Sequence, residues 1–235
     1  MIIQGGRLQG ARYQDRSPYI TDGLVLFLDA GNAASYPGSG ANWYDLSGHG
    51  NDVTLGGGGV LYTAPNPWIT LQSNGYFYRE TGNGIPTGTS SYTLSAWVQF
   101  GSTWNTQGVM AIGSTWGLTD TVNALRSGTT NQLINYWWGN DLSLIFSPPD
   151  SNAWFNVVAT YDSGTSTRGI WVNASSIGTD NPGPPGVSTS VISIGVTNNT
   201  EFLNANIGQA MIYNRALTSG EITFNFNNFK GRYGL

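Results

Sequence analysis

Few side chains in this sequence could ionise or coordinate. Its only glutamates are Glu80, Glu201 and Glu221, its only histidine is His49, and it has no cysteine. Without thiols there are no disulfides, thiolate metal sites or cysteine nucleophiles. One histidine excludes a His-rich zinc site. His49 lies in Ser47-Gly48-His49-Gly50-Asn51-Asp52, where a turn role competes with a general-base role. No Gly-x-Ser-x-Gly elbow is present, and Gly56–Gly59 lacks the Lys-Ser/Thr that completes a phosphate cradle. Asp29, Asp45, Asn51 and Asp52 are loop oxygens of the kind calcium takes, but Asn and Asp build turns without a metal. The reading is no metal and no cofactor, with Ca2+ the one ion left open.

Aromatic side chains carry the stronger signal. There are nine Trp and twelve Tyr in 235 residues. Trp104, Trp116, Tyr136, Trp137 and Trp138 lie near loops or beside one another, with Asn140 and Asp141 following. Stacking surface beside hydrogen-bonding groups suits a sugar ring, and it suits a protein partner equally. Successive strand residues face opposite ways, so only one of Trp137 and Trp138 can enter a core. A second candidate is the polar stretch of residues 1–19, whose Arg7, Arg12, Tyr13 and Arg16 form an arm that could dock on a neighbouring subunit. A frayed terminus is the competing reading.

Composition narrows what can hold these groups. Only 9% of residues are charged, 33 are glycine, and the net charge is −4. Strands and tight turns with an Asn/Ser/Thr surface fit these values; long exposed helices rich in Glu–Lys pairs do not. The acidic balance, with no cluster of four cations, argues against nucleic acid. No run of about 18 apolar residues suggests a membrane span, and no charged segment followed by an apolar stretch suggests a signal peptide.

Periodicity gives the elements. Leu24–Leu28 is a short apolar run of the doubly buried kind. In 92–100, Tyr92, Leu94, Ala96, Val98 and Phe100 share one face; Thr93, Ser95, Trp97 and Gln99 form an opposite face that reads as mostly polar. Further strands are expected at 109–112, 132–138, 142–146, 191–196 and 207–213. A hairpin joins 155–161 to 168–173 through Asp162-Ser163-Gly164. Thr218-Ser219-Gly220-Glu221 has capping-box spacing, and Ile222, Phe226 and Phe229 then share a helix face. About a dozen strands and one short C-terminal helix make one domain over 20–235. The fold class is all-β, a two-sheet antiparallel jelly-roll sandwich.

Five stretches, in order, resemble the concanavalin A-like lectin/glucanase superfamily of laminin-G-like domains. They are Gly23–Asn32, Trp43–Asn51 (WYDLSGHGN), Tyr92–Val98 (YTLSAWV), Trp154–Asp162 (WFNVVATYD) and Ile207–Thr218 (IGQAMIYNRALT). The opening loop, Tyr136–Leu142 and Asn225–Leu235 are similar to versions in tailed-phage structural proteins. The resemblance implies a non-enzymatic virion surface protein: a capsid decoration, collar or fibre component, in many copies or as a homo-oligomer. It would attach to other virion proteins and could adhere to a host. The alternative it implies is a lectin module binding cell-surface glycan. Glucanases of this fold place their carboxylates as Glu-x-Asp-x-(x)-Glu on one strand, and none of the three glutamates here has such a neighbour. At Leu71–Tyr78 the chain lacks the carboxylates of the family's F-D-G-x-D-D-Y segment, so a calcium site there would lack its charge.

Overall fold

A computed structural model describes residues 17–63, 65–101, 105–113, 121–129, 131–146 and 152–235. Arg7, Arg12, Tyr13, Arg16, Trp104 and Trp116 lie outside the described residues.

Two antiparallel eight-stranded sheets face each other. The first runs β14 (Ser175–Asp180), β13 (Thr167–Val172), β12 (Phe155–Asp162), β7 (Tyr92–Phe100), β18 (Ala205–Tyr213), β5 (Ile69–Leu71) and β4 (Val60–Leu61). β1 (Leu24–Asp29) pairs with the C-terminal half of β18. The second runs β11 (Leu142–Ile145), β10 (Gln132–Tyr136), β9 (Val122–Gly128), β8 (Gln107–Gly113), β15 (Ile192–Ile194), β6 (Phe77–Arg79), β3 (Val53–Leu55) and β2 (Asn42–Trp43). A small hairpin, β16 (Val196–Thr197) with β17 (Glu201–Phe202), stands apart. The strands are shorter and more numerous than the expected dozen. β9 and β14 went unread because Val122-Asn123-Ala124-Leu125-Arg126-Ser127 and Ser175-Ser176-Ile177-Gly178-Thr179-Asp180 have too few large apolar residues to show a period.

Between the sheets lies one continuous core, including Leu26, Trp43, Phe77, Leu94, Leu125, Val157 and Ile212. The 155–172 hairpin forms as expected, Asp162 opposite Thr167. The outer face of β7 does not: Thr93, Ser95 and Trp97 are buried. The C-terminal helix α1 (Ser219–Phe229) and the 3-10 turn Lys230–Tyr233 cover it. Trp97 stacks on Phe226 at 5.6 Å and on Tyr233 at 4.3 Å. Thr93 Oγ1 accepts from the Leu217 amide and donates to the Arg215 carbonyl. A face that reads polar in isolation is thus dry, because the chain returns about 120 residues later to satisfy it. The capping box is present in both directions between Thr218 and Glu221, and Ile222 and Phe229 are buried. Tyr19 packs edge-on to Phe27 at 4.6 Å and over Phe229, so the packed domain takes in the end of the expected arm.

Candidate functional site

The loop between β10 and β11 carries the predicted aromatic cluster. It stands on a buried polar chain that joins the two sheets. Trp137 Nε1 donates to the Tyr92 hydroxyl (2.8 Å), which donates to Asn135 Oδ1 (2.6 Å). Asn135 Nδ2 donates to the Thr160 and Gly169 carbonyls of the other sheet. Burial raises the Tyr92 hydroxyl's pKa, against the Trp137 hydrogen bond, so it stays a neutral donor.

Arg168 reinforces this from beneath. Its guanidinium is buried, pairs with both oxygens of Asp180 (3.0 and 2.6 Å), and lies 4.3 Å over the Trp137 ring. Nη1 donates to the Asn140 carbonyl at 2.5 Å. At the far end, Asp141 Oδ1 accepts from the Trp137 amide (2.8 Å). The loop backbone is therefore fixed from both sides. It needs that support, because Trp138 holds a left-handed φ of 58° before Gly139 at 86°, and a bulky residue there is strained.

Trp137 is fully buried. This corrects its assignment as a contact residue: its indole is the loop's anchor, sealed in by Tyr92, Tyr161 and Arg168. Tyr136 and Trp138 face the other way, partly exposed and edge-on at 5.9 Å. Asp141 is exposed beside them. Two groups the sequence reading missed complete the cluster. Arg126, from β9, lies 4.2 Å over the Tyr136 ring and pairs with Glu201 at 2.8 Å. The Thr197 hydroxyl donates to the second Glu201 oxygen. Arg126 is 7% exposed, and its Nε has no acceptor among the described residues. Burial pushes Tyr136 up to about 12, with Arg126 opposing and the Glu201 and Asp141 carboxylates adding. The one available signal was rarity: a cation inside a strand of a chain with nine Lys and Arg in all.

The loop oxygens weighed for calcium act as turn formers. Asp45 accepts from the amides of Phe27, Ser47 and Asn51 and from the Ser47 hydroxyl. Asp52 accepts from the Asp45 amide. Asn51, fully buried, bridges Val25 and Asn83. Asp29 binds Arg232 and Gln209. Among the described residues no three His, Asp or Glu side chains gather. Ser47 donates to Asp45, and His49 Nδ1 sits 3.4 Å from that hydroxyl.

A family profile described as the concanavalin A-like lectin/glucanases superfamily matches residues 72–223. No curated protein sequence matches the chain. Solved structures similar to it include the binding domain of Paraclostridial Mosquitocidal Protein 1, at 17% identity and TM-score 0.66, over 89% of this chain and 53% of that one. Trypanosoma rangeli sialidase is similar at 18% identity and TM-score 0.66, over 89% and 33%. A structure of botulinum neurotoxin type C, a toxin reported to depend on two ganglioside molecules to enter cells, is similar at 19% and 0.64, over 88% and 51%. The chain spans about half the length of the two toxin chains and a third of the sialidase.

Proposed function

Because this chain belongs to the concanavalin A-like lectin/glucanases superfamily, we propose that it is a non-catalytic recognition module whose ligand is a surface glycan. The carrying observation is the rigid β10–β11 tip: Tyr136 and Trp138 offer ring surface, with Arg126, Glu201 and Asp141 beside them for hydroxyls. Aromatic faces bind the C–H side of a sugar, and fixed polar groups orient it. A tip held by Arg168 and Asp141 loses little entropy on binding. The ganglioside dependence of one structural relative supports this ligand class. A binding rather than hydrolytic role is supported by two of the three glutamates being held in ion pairs, Glu201 with Arg126 and Glu221 with Arg215.

A second reading is attachment to virion proteins at a particle surface, by many copies or a homo-oligomer. The observation favouring it is Ile145, 76% exposed on edge strand β11 next to the tip. An open apolar edge invites a protein partner.

The test is a glycan array with the wild-type chain and Trp138→Ala. Selective glycan binding lost in Trp138→Ala, with an unchanged circular dichroism spectrum, is expected. Binding to purified particles that free sugar leaves intact, with no glycan retained, would favour the second reading and refute the first.

A further inference from the structure

A groove of about 270 Å³ opens on the outer face of the first sheet, away from the tip cluster. β12, β13 and β14 form its floor, and the Ala216–Thr218 segment leading into α1 forms one wall. Register explains how its floor is built. Gly169 pairs with Thr160 on one side and with Thr179 on the other. A glycine at the middle of three adjacent strands lowers the floor there, and Thr160, Thr179 and the edge of the Trp171 indole close over it. A Cβ there would sit 3.2 Å from Thr160 Oγ1 and 3.4 Å from Trp171 Nε1. The indole therefore lies along the floor, and its Nε1, itself buried, has no hydrogen-bond acceptor among the described residues.

The lining has a definite chemistry. Thr160 and Thr179 bring hydroxyls and Trp171 brings ring surface, whereas the Thr167 hydroxyl is already engaged by Thr165 and Asn181. Among the described residues no Lys or Arg lines the groove. Its carboxylate, Asp162, already accepts from the Gly164 amide and the Thr165 hydroxyl, closing its own turn. An anion would find no counter-charge here, and a hydrocarbon would leave the hydroxyls unpaired at a cost. Pockets for drug-sized ligands run roughly 300–1,000 Å³, so this one suits a single small ring.

From this geometry we propose a second binding site, in the groove of Trp171, Thr160 and Thr179, for one pyranose ring of a neutral saccharide. It is distinct from the tip: none of the tip's contact groups lines it, although the Thr160 and Gly169 carbonyls also accept from Asn135 beneath the tip. A chain with both would engage a branched or repeated glycan at two points. Single-ring binding would be weak, with Kd on the order of 1 mM, and would gain from display in many copies.

The test follows the indole N–H resonances while methyl glycosides of glucose, galactose, mannose and N-acetylglucosamine are titrated to tens of millimolar. Trp171→Phe identifies its own signal, and inorganic phosphate is the anion control. At least one glycoside should shift the Trp171 resonance with saturation. Gly169→Ala, which fills the floor, and Thr179→Val, which removes a hydroxyl from an exposed edge strand, should each weaken that binding about tenfold. No shift with any glycoside, a shift of equal affinity in both variants, or an equal response to phosphate would overturn the proposal. Because the Trp138 signal reports the tip separately, loss of one site is read independently of the other.

Discussion

Arg168→Met is the perturbation that most directly tests how the tip is held. Methionine keeps much of the length and apolar contact but removes the charge and all three donors. Arg168 is 1% exposed at the side chain, whereas Asp180 is 36% exposed. Water can therefore replace the arginine at Asp180, and that part of the loss is small. The Asn140 carbonyl loses its buried donor, which costs about 1–3 kcal/mol. The guanidinium–Trp137 stack contributes about 1–2 kcal/mol when desolvated. Relief of the arginine's own desolvation offsets part of this, leaving a net loss of about 2–4 kcal/mol. For a domain this size each kcal/mol moves Tm by about 2–4 °C, so a fall of roughly 5–15 °C is expected. Denaturant unfolding measures the free energy, and amide exchange measures the tip. Exchange at 138–142 should rise more than at β7. Asp180→Asn alone should cost about 1 kcal/mol, as its partner keeps the Asn140 contact. A loss below 1 kcal/mol in Arg168→Met, or equal costs in the two variants, would refute the reasoning.

Other elements give separate expectations. Hydrogen bonds from Arg215, opposed by partial burial, hold Glu221 at about 2 against its usual 4.5. The folded value is depressed, so this stabilisation is present above pH 4.5 and is lost as pH falls towards 2. After discounting for exposure it amounts to about 1–2 kcal/mol. Glu221→Gln should lose that at pH 7 and flatten the stability curve over this window, as read by urea titrations at stepped pH. Ser166 holds φ 50° in the β12–β13 turn, so Ser166→Gly should stabilise by about 0.5 kcal/mol, strain relief slightly exceeding the added chain entropy; a destabilised variant would contradict this. Trp97→Ala should cost about 3–5 kcal/mol and free α1 from the sheet, seen as faster exchange at Ile222 and Phe229 than in the inter-sheet core.

Local relations are legible in the residues themselves. The capping box needs only Thr218 and Glu221 three positions apart, and both bonds form. The 155–172 hairpin needs two alternating runs and an Asp-Ser-Gly turn, and its register follows. The family membership rests on a profile match over residues 72–223, which takes in three of the five resembling stretches. Strand alternation over 132–138 predicts that Trp137 and Trp138 part company; they do, but β10 ends at Tyr136 and they part within the loop, and the pattern could not say which turns inward. Tyr92, 45 residues away, and Arg168 made that choice by meeting the Trp137 indole. Likewise no local period could reveal that Trp97 would lie under Tyr233, or that Arg126 would find Glu201 75 positions later. A strand's pattern reports how many faces it has. What covers each face depends on loop closure between distant segments, and that is settled only when the sheets and the returning helix pack together.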